Sequence, residues 1–185
     1  MLRTSFKDRS VEFSNDFENL KKNRIQIASR LISLKNLGTI SYDSDGFPLV
    51  YSKESQAVLI PAFLSAYTGI DVSKVSLSPI TSNPKLNWTL QYDGLEKLFD
   101  KVFSRVSIQH GYRSNFTINN FNYNLNFTQN GIDNSGNYFD KIIFSNINLV
   151  EQFNPLVRLD FELKNSLRII FDVIKDRAVS LSLAN

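Results

Sequence analysis

The chain has 185 residues, 42% apolar and 21% charged, which suffices for one ordinary domain with its own core and excludes disorder throughout. Its 21 basic and 18 acidic side chains leave a net charge of +3, spread without a run of like charge, which argues against a nucleic-acid arm. The chain has no cysteine and a single histidine, His110, which removes disulfides, thiolate zinc sites, iron–sulfur clusters, cysteine nucleophiles and multi-histidine metal centres.

The start, MLRTSFKDRSVEF, has no apolar h-region and no small-residue cleavage site, so no secretory signal is expected there. No apolar run approaches the ~20 residues of a membrane helix. Barrel strands remain open, because about ten residues with every second one apolar escape hydropathy averaging. The abundance of aromatics, 15 Phe, 7 Tyr and 1 Trp, points to strands.

The first segment, 1–38, is expected to be an amphipathic helix over 12–35. Phe13, Phe17, Leu20, Ile27 and Leu31 share one face. Ser10 or Ser14 can cap its start, Asp16 and Glu18 suit its positive end, and Lys35 with Gly38 suits its exit. Lys21, Lys22 and Arg24 are read as a solvated face.

The second segment, 39–85, starts as a loop, because Asp43, Asp45, Gly46 and Pro48 are clustered turn formers. Asp43, Asp45 and Glu54 imitate the first, third and twelfth positions of a calcium loop. Pro48 stands where the glycine of the sharp turn is needed and Phe47 where an oxygen ligand is, so calcium is not expected. A helix from Ser55 to Tyr67 follows, apolar nearly all round, kinked or split at Pro61 and stopped at Gly69. Asp71 to Lys85 reads as extended linker.

The third segment, 86–185, changes to a period of two. Leu86, Trp88, Leu90 and Tyr92 face one way; after a short connection over 95–103, Val106, Ile108, His110 and Tyr112 oppose Arg105, Ser107, Gln109 and Arg113. Tyr123, Leu125 and Phe127 then alternate with asparagines, and 130–137 supplies a turn. In LVRLDFELKNSLRIIFDVIKDRAVSLSL, a three-residue loop at Lys164–Ser166 would pair Phe161 with Ile169, Leu159 with Phe171 and Val157 with Val173. A second loop at Lys175–Arg177 would bring Val173 opposite Val179 and Phe171 opposite Leu181. Every charge would then lie on the other face or in a turn.

An unbroken apolar face over adjacent strands suits a soluble sandwich core or the lipid around a barrel. The charges opposite, Arg158, Asp160, Glu162, Arg168 and Asp172, suit a wet lumen. The succession QAVLIPAFLSAYTG, LNWTLQYDGLEKLF, RVSIQHGYRS and EQFNPLVRLDFELKNSLRIIFDVIKDRAVSLSLAN, preceded by NRIQIASRLI, resembles the carboxy-terminal region of the SprA (Sov) family. These are outer-membrane translocons of type IX secretion in Bacteroidota.

The resemblance implies an α+β fragment: amino-terminal helices followed by antiparallel meander strands of a large transmembrane β-barrel. It implies protein export across the outer membrane at the cell surface, with a link to gliding motility. Expected partners are the remainder of the barrel chain, a PorV-like shuttle protein, a plug protein, secreted protein cargo and outer-membrane lipid. No nucleic acid, cofactor or metal is expected. About seven strands can be placed from Leu86 onward, fewer than the eight of the smallest single-chain barrels, so the chain is expected to be a piece of a longer one. The alternative is a soluble β-sandwich binding module with a helical appendage.

No constellation for reaction chemistry appears, and the chain is not expected to be an enzyme. His110 is read as a packed side chain, and Asp160, Glu162 and Asp172 as a charge ladder rather than a glycosidase pair. The Asn-x-Thr triplets at Asn87, Asn115 and Asn126 are read as strand alternation rather than glycosylation sites.

Overall fold

A computed structural model describes residues 15–36, 39–78, 87–127, 131 and 138–183. Two helices, α1 (Asn15–Lys35) and α2 (Gln56–Thr68), precede four strands, β1 (Trp88–Asp93), β2 (Phe103–Tyr123), β3 (Ile142–Leu163) and β4 (Arg168–Ser182). The strands form one open antiparallel sheet in the order β1-β2-β3-β4. Contacts divide the chain into two units. One holds both helices and residues 120–145, the other residues 87–119 and 146–182.

In the helical unit, α1 buries Leu20, Ile27, Ala28 and Leu31. Asn23 donates to the Ser65 hydroxyl of α2 at 3.0 Å, while Leu31 and Lys35 share a cavity wall with Ala57 and Ile60. The helices therefore pack antiparallel. This arrangement corrects the expected face, because Phe17 is 48% exposed. Since α2 stops at Thr68, three residues past the Asn23 contact, α1 outruns it before Leu20. The Lys21 ammonium covers the Phe17 ring instead, 4.8 Å from its centroid. Asn36, at φ 47°, follows α1 in the left-handed conformation that ends many helices; Phe13 and Gly38 lie outside the described residues.

Pro61 lies inside α2 without splitting it, and Gly69 caps the helix at φ 69° with its N–H on the Ser65 carbonyl. The loop before α2 is closed by pairing of Tyr42 with Pro48. The Asp43 carboxylate accepts from the N–H groups of Asp45 and Phe47 at 2.9 and 2.8 Å, and Asp45 pairs with Lys53 at 2.6 Å. The stretch after α2 is not extended linker over its described part. Lys74 and Val75 donate to the Asp71 carbonyl, Val75 is buried, and Arg30 of α1 binds the carbonyls of Val72 and Val75.

The strands are fewer and longer than the turn signals suggest. β2 spans 21 residues and β3 spans 22, about twice the length that alternation marks out, so four strands stand where about seven were expected. β2 ends at Tyr123, and Asn124 begins a turn in which its side chain accepts from Asn126 and its carbonyl from Phe127. Leu125 is consequently 94% exposed and belongs to no strand. The turn expected at 130–137 lies, apart from Gly131, outside the described residues.

The loop at Lys164–Ser166 has the expected register. Phe161 faces Ile169, Leu159 faces Phe171 and Val157 faces Val173. The second loop does not form. β4 runs straight through Lys175, Asp176 and Arg177, which face Phe153, Gln152 and Glu151, so that Val179 meets Leu149 and Leu181 meets Ile147. Lys-Asp-Arg offers no glycine, proline or asparagine, so Asp176 alone favours a tight turn there, while β3 runs alongside β4 and pairs with Lys175, Asp176 and Arg177.

Candidate functional site: the two faces of the sheet

Residues directly opposite on antiparallel strands share a face. The pairs Trp88–Tyr112, Leu90–His110 and Tyr92–Ile108 thus put the apolar alternations of β1 and β2 together. The Tyr112 and His110 rings meet Phe153 of β3 at 5.0 and 5.6 Å, and Trp88 meets Tyr112 at 4.4 Å. A row Trp88, Tyr112, Phe153 therefore crosses three strands and ends opposite Lys175 of β4.

On one side of this row, toward the 164–166 loop, the same face carries only apolar groups on β3 and β4: Val157, Leu159 and Phe161 opposite Val173, Phe171 and Ile169. Phe103 of β2 adds its ring, 5.6 Å from Phe161. Much of this surface is open, with Val157 37%, Ile169 49% and Phe171 58% exposed. Among the described residues all four strands belong to one sheet.

On the other side of the row lies a charge that alternation did not anticipate. Glu151 is opposite Arg177, both are buried, and the Tyr112 hydroxyl donates to the Glu151 carboxylate at 2.9 Å. The expectation that every charge avoids the apolar face is corrected here. Reading the Lys175–Arg177 stretch as a loop had moved its two cations off that face. The available signal was a glutamate on the apolar parity of NINLVEQF, which in a buried strand requires a partner.

The opposite face is mostly polar, with Ile170 opposite Asp160 as an exposed apolar exception. Thr89 faces Gly111, Gln91 faces Gln109 and Asp93 faces Ser107; Arg158 faces Asp172 and Glu162 faces Arg168. Arg168 reaches past Glu162 to hold Asp160 through two hydrogen bonds, and Arg158 lies 3.6 Å from Asp172. The expected ladder of paired charges is present. A polar groove of about 300 Å³, lined by Asn87, Thr89, Arg113, Gln152 and Asn154, marks the same face. Gly111 permits it, since a Cβ there would sit 2.8 Å from the Asn154 carbonyl oxygen.

His110 is a packed side chain. Its Nδ1 lies 2.7 Å from the Leu156 carbonyl oxygen, which can only accept, so this nitrogen carries the proton. The Asn87 side chain of the first Asn-x-Thr triplet accepts from the Ser114 N–H, Asn115 lies within β2, and Thr128 of the third lies outside the described residues. Among the described residues no three metal-binding side chains cluster, and no helix is long and apolar enough to cross a membrane. No protein-family model matches the chain, and no curated protein matches it.

Proposed function

We propose that the four strands are a section of the wall of a large outer-membrane β-barrel through which proteins are exported, as the resemblance to the SprA family suggests. In this reading the face bearing Val157, Leu159, Phe161, Ile169 and Phe171 meets lipid, and the face bearing Arg158, Asp160, Glu162, Arg168 and Asp172 lines a wet lumen. The exposure of the apolar face in an otherwise alternating sheet carries the reading. The lumen acts passively, offering polar groups to a passing chain. A PorV-like shuttle, a plug protein and the rest of the barrel are the partners, at the cell surface of a Bacteroidota-type bacterium, and a role in gliding motility follows from the same family.

A soluble binding module is the second reading. The observation favouring it is the buried Glu151–Arg177 pair, which suits a protein interface better than hydrocarbon. Flotation of the full chain with phosphatidylcholine vesicles separates the two. Phe171→Arg is expected to weaken vesicle association by about 2–4 kcal/mol, and Glu162→Arg to leave it nearly unchanged. Failure of the unmodified chain to float, or equal losses in both variants, would favour the soluble module.

A further inference from the structure

The helical unit holds a cavity of about 180 Å³ lined by Leu31, Lys35, Tyr51, Gln56, Ala57, Ile60, Leu77, Tyr138 and Asp140, which the barrel reading does not use. Three features make its polar end unusual. Tyr51 is wholly buried, and its hydroxyl has no hydrogen-bond partner, although buried polar groups are nearly always satisfied. The Tyr51 and Tyr138 rings lie 4.9 Å apart, tilted by 41°, and the Lys35 ammonium already sits 4.7 Å from the Tyr138 centroid. Asp140 receives a hydrogen bond from Gln56 and feels Lys35 at longer range. Among the described residues, however, no cation forms a salt bridge with it.

We propose that this cavity is a binding site for a small primary ammonium group with a short apolar body, held by the Asp140 carboxylate, the Tyr51 oxygen and the two tyrosine rings. Leu31, Ala57, Ile60 and Leu77 would take the apolar body. The volume falls below that of drug-sized pockets, ~300–1,000 Å³, which limits the ligand to the size of a benzyl or isobutyl amine. An ammonium gives the half-buried Asp140 carboxylate a direct ion pair, which Lys35 at longer range does not, and aromatic faces attract cations. Lys35 on the Tyr138 ring is an internal cation occupying part of the site, so it competes with the ligand. A carboxylate ligand would instead face Asp140, with only Lys35 to offset the repulsion.

Burial pushes the Asp140 carboxyl up to about 6, with the Gln56 hydrogen bond and Lys35 pulling against it. Burial also raises the Tyr51 and Tyr138 hydroxyls, with the Asp140 charge adding to both. The tyrosines therefore stay neutral at pH 7.5 while Asp140 is ionised. Lys35 of α1, Gln56 of α2, Tyr51 and Tyr138 are the charged, titratable or hydrogen-bonding groups facing that carboxylate.

The test is an NMR titration of the full chain in detergent micelles at pH 7.5 with benzylammonium, and with benzoate as the matched acid. The expected result is saturable benzylammonium binding with shifts at Tyr51, Tyr138, Leu31 and Leu77. Asp140→Asn should weaken it at least tenfold, Lys35→Gln should tighten it, and affinity should fall as pH drops below 6. Lys35 is exposed, so its variant serves even where Asp140→Asn perturbs folding. Benzoate binding as tight as benzylammonium, weaker binding in Lys35→Gln, or no saturable shift at these residues would overturn the proposal.

Discussion

Asp140 shows how a single side chain links the helical unit to pH. Burial pushes its carboxyl from 3.8 up to about 6, so between those values the folded chain binds more protons than the unfolded one. Stability then falls as pH rises across that window. The loss is on the order of 2–3 kcal/mol, complete above pH 6 and absent below pH 4. Urea midpoints from pH 4 to pH 7 should decline in the unmodified chain and flatten in Asp140→Asn; parallel profiles would contradict this assignment. Nothing in the local sequence, NYFDKII, distinguishes this aspartate from a solvated one, because its environment comes from Lys35, Tyr51 and Gln56, far away along the chain. Glu151 differs: its place on an apolar parity was visible, whereas its partner Arg177 was hidden by the loop assigned there.

Elements were legible where one period ran without interruption. α1 and α2 follow from spacing and from Gly69, and the β3–β4 hairpin follows from the single loop length that aligns apolar partners at Phe161, Leu159 and Val157. What remained hidden was strand length. Charges and asparagines within β2, β3 and β4 resemble turns until a neighbouring strand is known to run alongside, as Lys175 to Arg177 show. The hairpin loop itself gives a direct test. Ser166 has φ 67°, a conformation that costs an L-residue roughly 1–2 kcal/mol and glycine nothing. Allowing for glycine's greater freedom when unfolded, Ser166→Gly should raise stability by up to about 1 kcal/mol, read from the denaturant midpoint at constant slope. A loss of stability would show that the chain turns elsewhere.

At the scale of the whole molecule, the sheet presents an apolar, aromatic face and a polar, ion-paired face, and the proposed function depends on which medium each one meets. The absence of native cysteines permits single-cysteine spin labels along β4, from Arg168 to Ile174, in the full chain reconstituted into phospholipid vesicles. Collision rates with oxygen, which concentrates in lipid, and with a water-soluble nickel chelate should alternate with a period of two. Oxygen should dominate at Ile169, Phe171 and Val173, and nickel at Arg168, Ile170, Asp172 and Ile174, as for a strand between lipid and a wet lumen. High nickel access at Ile169 and Phe171, or shielding of both positions from both reagents, would contradict a lipid-facing wall.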